Sequence, residues 1–103
     1  MPAEFPLRYL PIAQEDLLRI CDFIAAESPS RAHTFIDTLD ERIGVLGRQP
    51  RLGRMPRHPQ LKSMGYRVLV VDPYLVFYVV RPTHIEVHRV VHSSRDLQHL
   101  LRP

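Results

Sequence analysis

The sequence predicts a single α+β domain with elements in the order β-α-α-β-β-β-α. An N-terminal strand leads into an antiparallel helical hairpin packed on a curved antiparallel sheet, and a short C-terminal helix ends the chain. Three observations carry this expectation. The chain has 103 residues, 45% of them apolar, which suits one core and one domain over residues 1–103. Two stretches with apolar residues at three- and four-residue steps follow one another, with only Ser28-Pro29 between them. Three runs rich in Val, Tyr, Phe and Ile then come in close succession.

Phe5 to Leu10 reads as the first strand. Pro11 suits the first turn of a helix, where its missing N–H removes no hydrogen bond. That helix is expected to run to about Glu27, with Ala13, Leu17, Ile20, Cys21 and Ile24 as its apolar stripe. Glu15 and Asp16 are read as first-turn acids that favour the helix dipole. Ser28 is a good N-cap and Pro29 a good first residue for the second helix. Its stripe is Ala32, Phe35, Ile36, Leu39, Ile43 and Leu46. Gly47 is the expected C-cap, and Pro50 prevents continuation. So short a turn makes the helices an antiparallel hairpin.

Residues 48–65 read as a long loop, because Pro50, Pro56, Pro59 and Gly53 exclude a regular element. Strands are expected at Tyr66–Val71, Tyr74–Val80 and Ile85–His92. Asp72-Pro73 and Arg81-Pro82-Thr83-His84 are the turns, short enough to force antiparallel neighbours. Ser93 and Asp96 have capping-box spacing for a last helix carrying Leu97, Leu100 and Leu101. The sheet face opposite the helical hairpin would be free for a ligand.

The net charge of +3 is unevenly spread. Residues 1–41 hold three arginines against eight acids, whereas residues 42–71 hold six arginines and one lysine with no acid. Such segregation suits a polyanion or an acidic partner, or a solvated basic loop. Cys21 alone cannot make an internal disulfide. Residues 1–10 lack the pattern of a signal peptide, and no apolar run approaches the ~18 residues of a membrane span. The chain is expected to be cytoplasmic, with no membrane association.

Most catalytic chemistries find no support. There is no CxxC, HExxH, G-x-S-x-G or P-loop. His88 and His92 are expected on one strand face with backbones ~13 Å apart, too far to share a zinc ion. No metal and no cofactor is expected. One polar cluster remains at the end of the sheet. Metal-free RNA cleavage needs a base, a cation and an acid. His92, Arg95 or Arg67, and Tyr78 are the candidates for those roles. The plainer alternatives are an Arg95–Asp96 pair and a core tyrosine with its hydroxyl bonded.

Three stretches resemble the RelE/ParE toxin superfamily. The first is Ala13-Gln-Glu-Asp-Leu-Leu-Arg-Ile, running into Phe23-Ile24-Ala25 and Ser28-Pro29. The second is Ala32 to Leu46, closed by Pro50-Arg-Leu-Gly-Arg54. The third is Tyr74-Leu-Val-Phe-Tyr78, then Ile85-Glu-Val-His-Arg-Val-Val-His92, then Arg95-Asp96. The resemblance implies the toxin of a type II toxin–antitoxin, or plasmid stabilisation, system. RelE-like members are ribosome-dependent mRNA endoribonucleases, and ParE-like members inhibit DNA gyrase. RelE-like ribonucleases commonly carry an arginine at the place that this sequence fills with Leu75. Their arginine after the last strand is matched by Arg95, while their lysine-rich stretch is reduced to Lys62. Pro50–Arg54 and the H-x-x-R-D ending at His92–Asp96 look more like the ParE branch.

The favoured reading from this resemblance is a ParE-like toxin acting on gyrase by binding rather than as an enzyme. The alternatives are a RelE-like ribonuclease, or a non-toxic member that acts only in antitoxin and operator assembly. The implied partner is an acidic antitoxin with a wrapping segment and a DNA-binding module, through which alone the chain would reach operator DNA. Arg51, Arg54, Arg57, Lys62, Arg67 and Arg95 are the expected contacts to target or antitoxin.

Overall fold

The computed structural model describes residues 4–94. The expected C-terminal helix lies outside them, as does Arg95. Within them the order is β1 (Leu7–Tyr9), α1 (Pro11–Ala25), α2 (Pro29–Gly44), α3 (Pro59–Ser63), β2 (Tyr66–Val71), β3 (Tyr74–Val80) and β4 (Ile85–His92). The hairpin forms as its prolines require. Pro11 and Pro29 open the two helices, and the Ser28 hydroxyl caps α2 by accepting from Arg31 N–H.

The four strands lie in the order β1-β4-β3-β2. The meander β2-β3-β4 is antiparallel, as its short turns demand. β1 adds a parallel strand on β4, pairing Leu7–Tyr9 with Ile85–Val87, so the sheet is mixed. Local pattern could not predict this pairing, because the hairpin returns β1 to a strand some 78 positions away in register. Both sheet edges are blunted. β1 covers part of β4, Arg54 exchanges two backbone hydrogen bonds with Val68 of β2, and the Arg42 guanidinium donates to Val70 C=O.

Each face of the sheet carries its own core. The hairpin lays Ala13, Ile20, Leu39, Ile43 and Leu46 on Leu69, Val71, Tyr74, Val76, Tyr78, Ile85, Val87 and Val90. On the other face Leu61 packs with Tyr66, Val68, Phe77, Val79 and Val91. That face is therefore not free, contrary to expectation. Its Leu61 comes from α3, inside the stretch expected to hold no regular element. Pro59 stands at the start of α3, where a proline favours a helix instead of breaking it.

Gly47 also differs from its expected role. α2 ends at Gly44 and passes into a 3₁₀ turn, Val45–Gly47. Gly47 does not adopt the left-handed conformation of a C-cap, since among the described residues only Gly65 has positive φ. It is there for space. A Cβ on it would lie 2.9 Å from Phe5 O, and its own C=O accepts from Phe5 N–H at 2.8 Å.

One irregularity organises the sheet. Phe77 faces Arg89, but Tyr78 faces Val87, so His88 is an extra residue in β4 and forms a β-bulge. The bulge reverses the alternation of side chains. Ile85, Val87 and Val90 all reach the hairpin core. Arg89, beside Val90, also reaches α1, donating through Nε and Nη2 to the Asp16 carboxylate at 2.8 and 2.9 Å. Asp16 Oδ2 further accepts Val90 N–H at 3.0 Å. Asp16 and Arg89 are 4% and 8% exposed, which makes them the buried charges of the described core. Asp16 is thus no first-turn acid. With Pro11 as the first helical residue it lies in the second turn, on the buried face.

Removing one partner of such a pair strands the other charge in the interior, at a cost of roughly 3–5 kcal/mol. Asp16→Ala is expected to lower the unfolding free energy by about that much, seen as a lower urea midpoint. The double change Asp16→Leu with Arg89→Met is expected to recover most of the loss. Equilibrium denaturation of the three chains checks both.

Candidate functional site

The basic segment is a pinned platform. Its anchor is the phenol of Tyr78, on the middle strand and fully buried. The Tyr78 hydroxyl donates to Pro50 C=O at 2.7 Å and accepts Gly53 N–H at 2.8 Å. A Cβ on Gly53 would stand 2.6 Å from the Tyr78 ring and hydroxyl, so only glycine fits. Arg67, paired with Tyr78 across the strands, donates to Gly53 C=O at 2.7 Å and to Arg51 C=O at 3.4 Å. The Arg54–Val68 bridge closes the same loop from the edge. Burial pushes the Tyr78 phenol above its usual pKa, opposed by the Gly53 hydrogen bond and the Arg67 charge. It stays protonated at neutral pH, and its proton is committed to Pro50.

With its backbone held, the loop turns cations outward. Arg51, Arg54, Arg57 and Lys62 are exposed, and none forms an ion pair among the described residues. Arg67 is different. Half-buried and bonded to two carbonyls, it holds the platform from beneath.

The residues expected to share an RNA-cleaving role are not gathered together. Arg67 and Tyr78 share one rung of the sheet, whereas His92 pairs with Tyr74. That separates His92 from Tyr78 by four residues along β3, or ~13 Å. His92 stands edge-on to Tyr74, and its Nδ1 accepts Ser94 N–H at 3.1 Å. In its neutral form the ring therefore carries its proton on Nε2. The expected same-face pairing of His88 and His92 is also corrected. The bulge puts His88 beside Tyr66 on the second face and His92 beside Tyr74 on the hairpin face.

A polar network that the sequence reading missed sits on the second face. Glu86 accepts from His84 Nε2 at 3.0 Å, His88 Nε2 at 3.1 Å and Arg81 Nε at 3.1 Å. His88 Nδ1 then meets the Tyr66 hydroxyl at 2.9 Å. The signal was the spacing His84, Glu86, His88, whose two-residue steps keep all three on one face up to the bulge. Hydrogen bonds from His84, then His88, with a contribution from Arg81, pull the Glu86 carboxyl down to about 2. The chain Tyr66–His88–Glu86 is a carboxylate-oriented imidazole, and it ties the second face to the β3–β4 turn. Among the described residues no group of three or more His, Cys, Asp or Glu side chains could hold a metal ion. Cys21 is half-buried on α1.

Two expectations follow. Tyr78→Phe keeps the ring but leaves the Pro50 and Gly53 groups without their partner, costing about 1–3 kcal/mol. Hydrogen exchange is expected to rise selectively at residues 50–54. Glu86, with its folded pKa depressed from 4.5 to about 2, contributes stability that is complete above 4.5 and lost as pH falls toward 2. Wild type and Glu86→Gln should therefore differ in stability at neutral pH and converge across that acid window, as measured by denaturation at stepped pH.

Comparison with known proteins completes the picture. No curated protein sequence is significantly similar to the chain. A chain from the chromosomal ParDE toxin–antitoxin system of Pseudomonas aeruginosa superposes with a TM-score of 0.71 at 21% identity, covering 86% of this chain and 96% of that one. A chain of the toxin–antitoxin complex RelBE2 from Mycobacterium tuberculosis superposes at 0.60, also with 21% identity, covering 86% and 98%. These likenesses establish the shared fold. No helix among the described residues is long and apolar enough to cross a membrane. The family model of the ParE toxin of the type II toxin–antitoxin system, parDE, matches residues 7–97. That match spans the hairpin, the pinned loop and every strand, so the chain belongs to the ParE toxin family of type II toxin–antitoxin systems.

Proposed function

We propose that this chain is a ParE-like toxin that stops DNA gyrase by binding it, and that a cognate antitoxin neutralises it. One observation carries the choice of binding over cutting. Tyr78 and Arg67 are spent holding the Pro50–Arg54 loop, while His92 stands ~13 Å away along the strand. Metal-free phosphodiester cleavage needs base, acid and cation around one reacting atom. The same arrangement leaves a rigid platform of outward cations, Arg51, Arg54, Arg57 and Lys62. Such a platform needs little ordering on contact with an acidic surface, which favours affinity. Its cations also suit an acidic antitoxin, and both structural neighbours come from toxin–antitoxin pairs.

Expression without a partner is expected to relax plasmid supercoiling and cause DNA damage while bulk translation continues at first. The purified chain should inhibit gyrase-catalysed supercoiling. Arg51→Gln, Arg54→Gln and Arg57→Gln together should weaken that inhibition by roughly 10-fold or more and flatten its dependence on salt. Early translation arrest with codon-linked mRNA cuts and normal supercoiling would overturn the proposal in favour of a ribosome-dependent ribonuclease. No growth defect on expression alone would point instead to a member acting only in antitoxin and operator assembly.

A further inference from the structure

The basic platform also carries exposed apolar side chains. Leu52, Met55, Met64 and Val70 all face solvent, and all fall within residues 42–71, the segment that has cations and no acid. Along residues 51–57 the two kinds of side chain alternate, as Arg51-Leu52, Arg54-Met55 and then Arg57. Leu52 and Met55 stand 48% and 45% exposed on either side of Gly53, whose N–H and C=O are both pinned. A solvated basic loop gains nothing from holding leucine and methionine in water. A docking surface does, because the centre of an interface is rich in apolar area, Met and Arg.

A cavity of about 470 Å³ opens beside Leu52. Phe5, Gln49, Pro50, Arg51, Leu52 and Val80 line it. Its walls are preformed. Phe5 N–H donates to Gly47 C=O at 2.8 Å, and Leu52 N–H donates to Gln49 C=O at 3.0 Å. Pro50 C=O accepts the Tyr78 hydroxyl at 2.7 Å. The lining is apolar apart from Gln49 and Arg51, and Arg51 has no ion pair among the described residues. The cavity thus offers an apolar floor with a cation at its lip.

These features select a protein as the occupant. Nucleic-acid phosphates are held by cations and make no use of Leu52 or Met55. Unpaired bases stack on aromatic rings. Among the described residues the exposed phenylalanine or tyrosine is Phe23, on α1 and outside the basic segment. We infer that the Leu52 cavity receives an apolar side chain protruding from an acidic surface of the target protein, with Leu52 and Met55 as the contacts that hold it and Arg51, Arg54 and Arg57 as the charges that steer it. The inference rests on the gyrase reading above and adds the place and chemistry of the contact. Charges act at a distance and set the rate of encounter, whereas the apolar contact forms only on arrival and sets the rate of escape.

The test follows association and dissociation of the full chain with purified gyrase by interferometry, at low and physiological salt, alongside supercoiling inhibition. Leu52→Ser is expected to speed dissociation about 30-fold and Met55→Ser about 5-fold, with association changed less than about 3-fold. Leu52→Met keeps the apolar bulk and should bind like wild type. Arg51→Gln, Arg54→Gln and Arg57→Gln together should instead slow association about 10-fold at low salt, a difference that shrinks as salt rises. Leu18→Ser is the control. Leu18 is 66% exposed on α1, beside a cavity whose charged member is Asp40, and its loss should change neither rate by more than about 2-fold. Circular dichroism checks that each variant is folded. If wild type inhibits gyrase and both serine variants at the platform dissociate as slowly as it does, charge alone holds the target; the inference then fails and the proposed function stands. If Leu18→Ser dissociates as fast as Leu52→Ser, the contact has been assigned to the wrong cavity. If a short DNA duplex displaces gyrase from wild type but not from the triple variant, and Leu52→Ser matches wild type, the platform is a phosphate site and the inference is overturned. If wild type neither binds nor inhibits gyrase, the proposed function falls and the inference goes with it.

Discussion

The buried Asp16 carboxylate joins the two layers of this protein. It takes two hydrogen bonds from Arg89 and one from the Val90 backbone. β1 pairs only with Ile85–Val87, so the edge of β4 beyond it needs another partner. A helical side chain supplies one. Such a buried pair is not an obvious source of net stability, because desolvating two charges costs about as much as their attraction returns. Its value is geometric. The contact is satisfied only when α1 lies over Val90 and when β4 carries its bulge, so it sets the register of hairpin on sheet. The bulge in turn decides which residues face which core. It separates His88 from His92, placing the first beside Tyr66 and the second beside Tyr74.

The basic loop shows a related economy. Proline and glycine usually mark a mobile connection, and residues 48–58, ahead of α3, hold Pro50, Gly53 and Pro56. Here the same residues make the loop rigid. Gly53 has no Cβ, so the backbone can lie against the Tyr78 ring, and the phenol then serves two backbone groups at once. Arg67 adds a cation beneath them. The segment's positive charge therefore divides by role. Arg67 and Arg42 serve the backbone, while Arg51, Arg54, Arg57 and Lys62 stay exposed.

The proposed function rests on that division. A tyrosine, an arginine and a strand-end histidine are the residue types of metal-free cleavage, and their positions bear on the proposed reading. Tyr78 is fully buried with its hydroxyl bonded to Pro50 C=O, and His92 stands on another rung. The Glu86 network is the counterpart on the second face. Its two imidazoles, its guanidinium and the Tyr66 phenol close the turn end of the sheet around one carboxylate.

The sequence by itself determined β1, the two long helices and the three later strands. Proline at the head of each long helix, Ser28 as a cap, apolar residues at helical spacing and β-branched runs between short turns are local signals, and local sterics and hydrogen bonding enforce them. It also showed the segregated charge and the family resemblance that the match over residues 7–97 bears out. Tertiary structure decided what depends on contacts between distant residues. The parallel docking of β1, the inward turn of Asp16, the bulge at His88 and the anchoring of Gly53 by Tyr78 each join residues at least 25 positions apart, or shift alternation by one. A period-two pattern cannot reveal a one-residue insertion, because every residue beyond it changes face at once. Pro59 reads locally as a breaker, yet it opens α3, whose Leu61 packs on the second face. His92 lies apart from Arg67 and Tyr78 because it pairs with Tyr74, four residues along β3.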